Sequence, residues 1–110
     1  MKTKFLALFL TLFAFGAMAQ KSDKVLRHVV MFKFKDTATP AQIKSVEDAF
    51  RKLPTQIKEI KGYEWGTNNS PEGLAQGFTH CFFLTFNSVA DRAIYLPHPD
   101  HKAFGKLLWP

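Results

Sequence analysis

The 110-residue chain has a single cysteine, Cys81, so no disulfide can form within it. Its formal charge of +6 is scattered, and no lysine–arginine run is longer than the pair Arg51-Lys52. A nucleic-acid-binding role has no basic stripe to rest on. Internal repeats and low-complexity tracts are absent, which excludes solenoid architectures. One long apolar run exists, Phe5 to Ala19, behind the basic residues Lys2 and Lys4 and ending Ala17-Met18-Ala19. It is too short to span a bilayer comfortably, and Lys21, Asp23 and Lys24 follow at once. That pattern reads as a secretory signal peptide over residues 1–19, with cleavage expected after Ala19 and a secreted or periplasmic product. Lys2 and Lys4 leave with it, lowering the charge to +4. A short linker at 20–25 and one domain from 26 to 110 remain, with no membrane segment after cleavage. A domain this small, without a disulfide, needs a packed core or a partner subunit.

Aromatic residues are plentiful instead, with twelve phenylalanines. Leu26 to Lys35, LRHVVMFKFK, alternates His28, Val30, Phe32 and Phe34 with Arg27, Val29, Met31 and Lys33, a period-two strand pattern. Apolar side chains fall on both faces of it, which asks for cover on both. Thr39-Pro40-Ala41-Gln42 supplies an N-cap, a first-turn proline and a capping box, and Ile43, Val46, Ala49, Phe50 and Leu53 follow at helical spacing until Pro54. A second strand is expected over Ile60–Thr67, a turn-rich loop over Asn68–Gly77, and a third strand over Phe78–Phe86. That last strand puts His80, Phe82, Leu84 and Phe86 on one face and Cys81 on the other. Asn87 or Ser88 can cap a short helix to Ala93 or Ile94, and a last helix should start near Pro99 and run to the chain end. The order β-α-β-β-α lacks one strand of a split βαβ ferredoxin-like unit.

Three stretches carry a resemblance: HVVMFKFKD (28–36), YEWGTNNSPEGLAQGFTH (63–80) and YLPHPDHKAF (95–104). In order and spacing they resemble the stress-responsive A/B barrel, or Dabb, family. The resemblance implies an α+β, ferredoxin-like unit, an antiparallel sheet with helices on one face, that pairs with a second copy into a dimeric α/β barrel. It also implies a final strand similar to VLVLDF, so that the domain at 26–110 reads as C-terminally truncated. Most members have no assigned reaction, and on that basis a homodimer with a small apolar pocket and no established catalysis is expected. The family includes a plant polyketide cyclase, olivetolic acid cyclase, which closes a linear tetraketide by aldol chemistry. That likeness carries a catalytic tyrosine and histidine onto Tyr95 and His101, a neighbouring histidine onto His98, and pocket histidines onto His28 and His80. Some relatives hold magnesium on backbone carbonyls in a region matching Pro54, Ile57 and Ile60.

Two readings of these residues stand side by side. In one, His98 caps the last helix and His28 and His80 are hydrogen-bonded core residues. In the other, the chain is a cofactor-independent cyclase- or lyase-like enzyme. His101 is then the general base and the Tyr95 phenol the donor to a developing oxyanion. His28, Val30, Phe32, His80, Phe82 and Leu84 would wall a pocket from the sheet, and Ile43, Val46 and Phe50 from the helix, around a small hydrophobic ligand. A zinc site on His98, Asp100 and His101 is a third option, with only a His-x-x-His spacing behind it.

Overall fold

The chain folds in the order β1 (Leu26–Phe32), α1 (Pro40–Gln56), β2 (Ile60–Thr67), β3 (His80–Phe86), α2 (Val89–Tyr95) and α3 (Pro99–Lys106). This computed structural model describes residues 24–109, so the leader reading at 1–19 and most of the linker lie outside the described residues. The strands form one antiparallel sheet in the order β1-β3-β2. Among the described residues no helix is long and apolar enough to cross a membrane.

Strand alternation assigns the faces. On the inner face Phe86 pairs with Leu26 and Ile60, Leu84 with His28 and Tyr63, Phe82 with Val30 and Trp65, and His80 with Phe32 and Thr67. The helices cover this face only. Val46, Phe50 and Leu53 from α1, Tyr95 from α2 and Phe104 from α3 close onto Phe82, Leu84 and Phe86, all buried. The rows Met31–Cys81–Gly66, Val29–Phe83–Glu64 and Arg27–Thr85–Gly62 make the outer face. There Val29 and Met31 stay 51% and 58% exposed.

Thr39 caps α1 as expected: its side chain accepts from the Gln42 N–H while the Gln42 side chain accepts from the Thr39 N–H. The helix does not stop at Pro54 but runs through it to Gln56. Proline removes one internal donor, yet the Ile57 N–H still donates to the Leu53 carbonyl at 2.9 Å and closes the last turn. β1 ends at Phe32 rather than Lys35, and β3 begins at His80 rather than Phe78. The intervening loop turns back at Gly77 (φ +86), where a Cβ would lie 2.6 Å from the Lys33 side chain. The Thr79 N–H then reaches the Phe32 carbonyl at 3.0 Å. Ser88, not Asn87, caps α2, which extends one residue further than expected, to Tyr95. α3 ends at Lys106 and not at the chain end; the Leu107 and Leu108 N–H groups fold back in tight turns onto Phe104 and Gly105.

Candidate functional site

α2 and α3 both pack on the inner face, and the joint between them sets the site. The His98 Nδ1 accepts from the Asp100 N–H at 3.1 Å and caps α3, while the His98 N–H donates to the Tyr95 carbonyl at 3.1 Å. Pro99 occupies the first helical position, where its missing N–H costs nothing. This brings His101, in the first turn of α3, onto the Tyr95 ring, with ring centroids 4.3 Å apart. On its other side Tyr95 meets His28 of β1 edge-on at 6.0 Å and Phe86 at 5.1 Å.

The protonation pattern of this trio follows from its surroundings. Tyr95 is 1% exposed, and burial pushes its phenol up to about 12, so it remains a proton-bearing donor across the physiological range. Burial first, then the Arg92 and His101 charges, hold the His28 imidazole below its ordinary value and favour its neutral form. His101 Nδ1 lies 2.8 Å from the Leu96 carbonyl oxygen. A carbonyl only accepts, so Nδ1 carries a hydrogen, and in the neutral ring Nε2 is the nitrogen with the lone pair. His101 is half-buried, and among the described residues its Nε2 has no hydrogen-bond partner.

His80 belongs elsewhere. It sits on the inner face four residues from Leu84, the partner of His28, so the two rings are offset by about 13 Å along the strands. Its Nε2 is 2.9 Å from Glu47 Oε1 and its Nδ1 2.8 Å from Thr79 Oγ1, so both ring nitrogens are engaged. A carboxylate accepts, which places a hydrogen on Nε2. Trp65 stacks on the ring at 6.1 Å, Phe34 meets it edge-on at 5.0 Å, and Arg51 lies over Trp65. His80 therefore ties α1 to β3, and the pairing with Glu47 was not read from the sequence. The signal was present: Glu47 stands four residues after Ile43 and three before Phe50, a charge on an otherwise apolar helix face. Near it, the Tyr63 hydroxyl is buried without a hydrogen-bond partner among the described residues.

The two ends are separated by side chains. Phe50 and Phe82 stack at 4.1 Å and 5°, Phe104 closes on Phe50 at 4.9 Å, and Phe32 meets Phe82 edge-on at 5.6 Å. Val46, Phe50, Phe82 and Leu84 are thus core residues, while Val30, Phe32 and Ile43 are half-buried around them. An open cleft of about 370 Å³ lies instead at the His80 end, lined by Met31, Phe78 and Cys81 with Gly66, Thr67 and Asn68. Among the described residues no three His, Cys, Asp or Glu side chains gather where they could hold a metal. His98, Asp100 and His101 do not converge: the first two are joined through the cap and His101 turns its Nδ1 to Leu96. Of the carbonyls considered for magnesium, that of Ile57 already accepts from the Ile60 N–H at 3.2 Å.

Comparison with known proteins adds the following. A family model described as Stress responsive A/B Barrel Domain matches residues 26–110. Olivetolic acid cyclase of Cannabis sativa is 32% identical over 80 residues, covering 73% of this chain and 79% of the relative. A solved structure of the hydroxynitrile lyase from Passiflora edulis superposes with a TM-score of 0.74 at 32% identity, over 80% of this chain and 83% of that one. A dimeric ferredoxin-like protein of unknown function from Thermobifida fusca superposes with a TM-score of 0.64 at 33% identity, over 78% and 79% of the two chains.

Proposed function

The chain belongs to the stress-responsive A/B barrel family, with a ferredoxin-like α+β fold, and from that premise we propose that it is an exported homodimer whose Tyr95–His101 pair makes or breaks a carbon–carbon bond next to an oxygen-bearing carbon. The observation that carries the reading is the hydrogen bond from His101 Nδ1 to the Leu96 carbonyl, which presents Nε2 as a base beside a buried phenol. Relatives named as a cyclase and as a hydroxynitrile lyase support the reaction class.

One proton path serves both directions. In the cleavage direction His101 Nε2 takes the hydroxyl proton of a carbinol, and the O–H electrons form the C=O. The adjacent carbon–carbon bond breaks, its electron pair leaving on cyanide or an enolate, which is reprotonated from the imidazolium. Tyr95 donates a hydrogen bond to the oxygen while it carries charge. In the forming direction Nε2 removes a proton next to a carbonyl, and the carbanion attacks a second carbonyl carbon, whose π electrons move to its oxygen and take the proton back from the imidazolium. His28, kept neutral, lines the site without adding a charge to it.

The test uses two probes that release the same chromophore. Mandelonitrile yields benzaldehyde and hydrogen cyanide, and 4-hydroxy-4-phenylbutan-2-one yields benzaldehyde and acetone. The expected result is benzaldehyde release above buffer from at least one probe. His101→Ala should lose about 10²–10⁴-fold of that rate and Tyr95→Phe about 10²–10³-fold, with folding unchanged by circular dichroism. Release that survives His101→Ala, or none at all from the wild type, would overturn the reading. It would favour the second one, a dimer without turnover, which the closed packing of Phe50 on Phe82 supports. Export is checked separately: the intact mass of the protein recovered outside the cytoplasm should begin at Gln20, and a mass retaining Met1–Ala19 would remove that part of the proposal.

A further inference from the structure

The chain has three arginines, and two of them have partners in the fold. Arg27 lies over the Phe83 ring and hydrogen-bonds Thr85, and Arg51 lies over Trp65 and within 3.7 Å of Asp48. Arg92 is different. Among the described residues its guanidinium has no carboxylate within ion-pair distance and no side-chain hydrogen bond. It is nevertheless half-buried, whereas Val89, Ile94 and Leu96 on the same short helix and its end are exposed.

Helical spacing says which way it faces. Arg92 precedes Tyr95 by three residues, and side chains three apart share a helix face. Tyr95 is buried against His28 and His101, so Arg92 lies at the margin of that trio. The backbone links it there as well: the Arg92 carbonyl accepts from the Leu96 N–H at 3.0 Å, and the Leu96 carbonyl in turn holds His101. Its charge is felt at His28, where it is second only to burial in disfavouring the imidazolium.

A cation near the end of α2 gains about 0.3–1 kcal/mol from the helix dipole. That gain needs no partner and leaves the donors of the guanidinium unengaged among the described residues, beside the Tyr95 trio. An anion at the margin of the trio would be drawn to it. The planar fork of arginine fits a carboxylate with two parallel hydrogen bonds.

We infer that Arg92 is an anion-binding residue, and that the small molecule taken by this site carries a carboxylate. The placement of the reacting carbon beside Tyr95 and His101 rests on the function proposed above; the anion subsite itself does not.

Binding, not turnover, therefore provides the test. The imidazole carbon-bound protons of His28 and His101 in the full mature protein are followed by nuclear magnetic resonance during titration with benzoate and with benzamide. Benzoate should perturb both rings and bind at least about tenfold more tightly than its neutral analogue. Arg92→Gln should remove that preference, and Arg92→Lys should restore part of it. A second readout reports proximity: bound benzoate should raise the pH midpoint of His28 by offsetting the Arg92 charge, and Arg92→Gln should raise it without benzoate and abolish the further rise. Benzoate and benzamide binding alike, benzoate leaving both rings unperturbed, or Arg92→Gln holding benzoate as well as wild type would each overturn the inference. Carboxylate binding through Arg92 with no His101-dependent release of benzaldehyde would sink the catalytic reading and leave this one standing. His101-dependent release of benzaldehyde together with benzoate and benzamide binding alike would do the reverse.

Discussion

Phe50→Ala should cost about 3–5 kcal/mol of stability, the loss expected when a fully buried aromatic ring is truncated and its cavity only partly collapses. Phe50 is 1% exposed and meets four aromatic rings from four different elements: Phe82 of β3, Phe104 of α3, Tyr63 of β2 and Phe32 of β1. Small domains unfold with about 5–15 kcal/mol in hand, so one truncation here removes a large share of the total. In urea the midpoint should fall steeply with little change in slope. Should the alanine variant fail to fold, Phe50→Leu keeps the question answerable, with an expected loss nearer 1–1.5 kcal/mol. A loss below about 1 kcal/mol for alanine would mean that the aromatic stack is not the hub of the core. The same ring also governs the site, since Phe104, held at 4.9 Å by Phe50, stacks on His101 at 6.5 Å.

How much of this could be read in advance divides along a physical line. Local rules were legible. Period-two alternation put His28, Val30 and Phe32 on one face with His80, Phe82, Leu84 and Phe86, and the sheet register bears that out. The Thr39–Gln42 capping box and the His98 cap on α3 need only a few adjacent residues. The juxtaposition of Tyr95 with His101 came from the resemblance of YLPHPDHKAF, and the geometry of the joint supports it. What stayed hidden depends on distant or main-chain partners. Glu47 reaches His80 across 33 positions of sequence, a pairing no local pattern encodes. The Leu96 carbonyl that orients His101 is backbone, and backbone acceptors leave no residue signature. Pro54 misled for the opposite reason: a local rule against proline was outweighed, because α1 stays packed through Leu53 and Ile57 on either side of it, both buried.

Besides His98, which caps α3, the histidines separate into two jobs. His28 and His101 share Tyr95 at one end of the inner face, and the second has a free nitrogen. His80 spends both nitrogens on Thr79 and Glu47 and has none left for a ligand without breaking a bond. A shared alignment position is therefore a poor guide to role here. Hydrogen-bond occupancy distinguishes a group that can transfer a proton from one that holds two elements together.

Val29→Asp should turn the proposed dimer into a monomer. One face of the sheet is covered by three helices, and the other has no cover from the described residues while exposing Val29 by 51% and Met31 by 58%. Contiguous apolar surface of this kind on a small domain points to a partner, and a solved neighbour of the same fold is described as dimeric. A two-fold interface is self-complementary, so a substitution at Val29 is introduced twice, once from each copy. Two new carboxylates would enter the interface in the row that already holds Glu64. Like charges brought together in this way cost several kcal/mol, enough to weaken association by about a thousandfold. Light scattering after size exclusion should give twice the chain mass for the wild type and the single-chain mass for Val29→Asp. Lys58→Glu, an exposed change beyond the end of α1, should leave the dimer intact. A wild type that is monomeric at working concentrations, or a Val29→Asp variant that remains dimeric, would show that the outer face of the sheet is not where two copies meet.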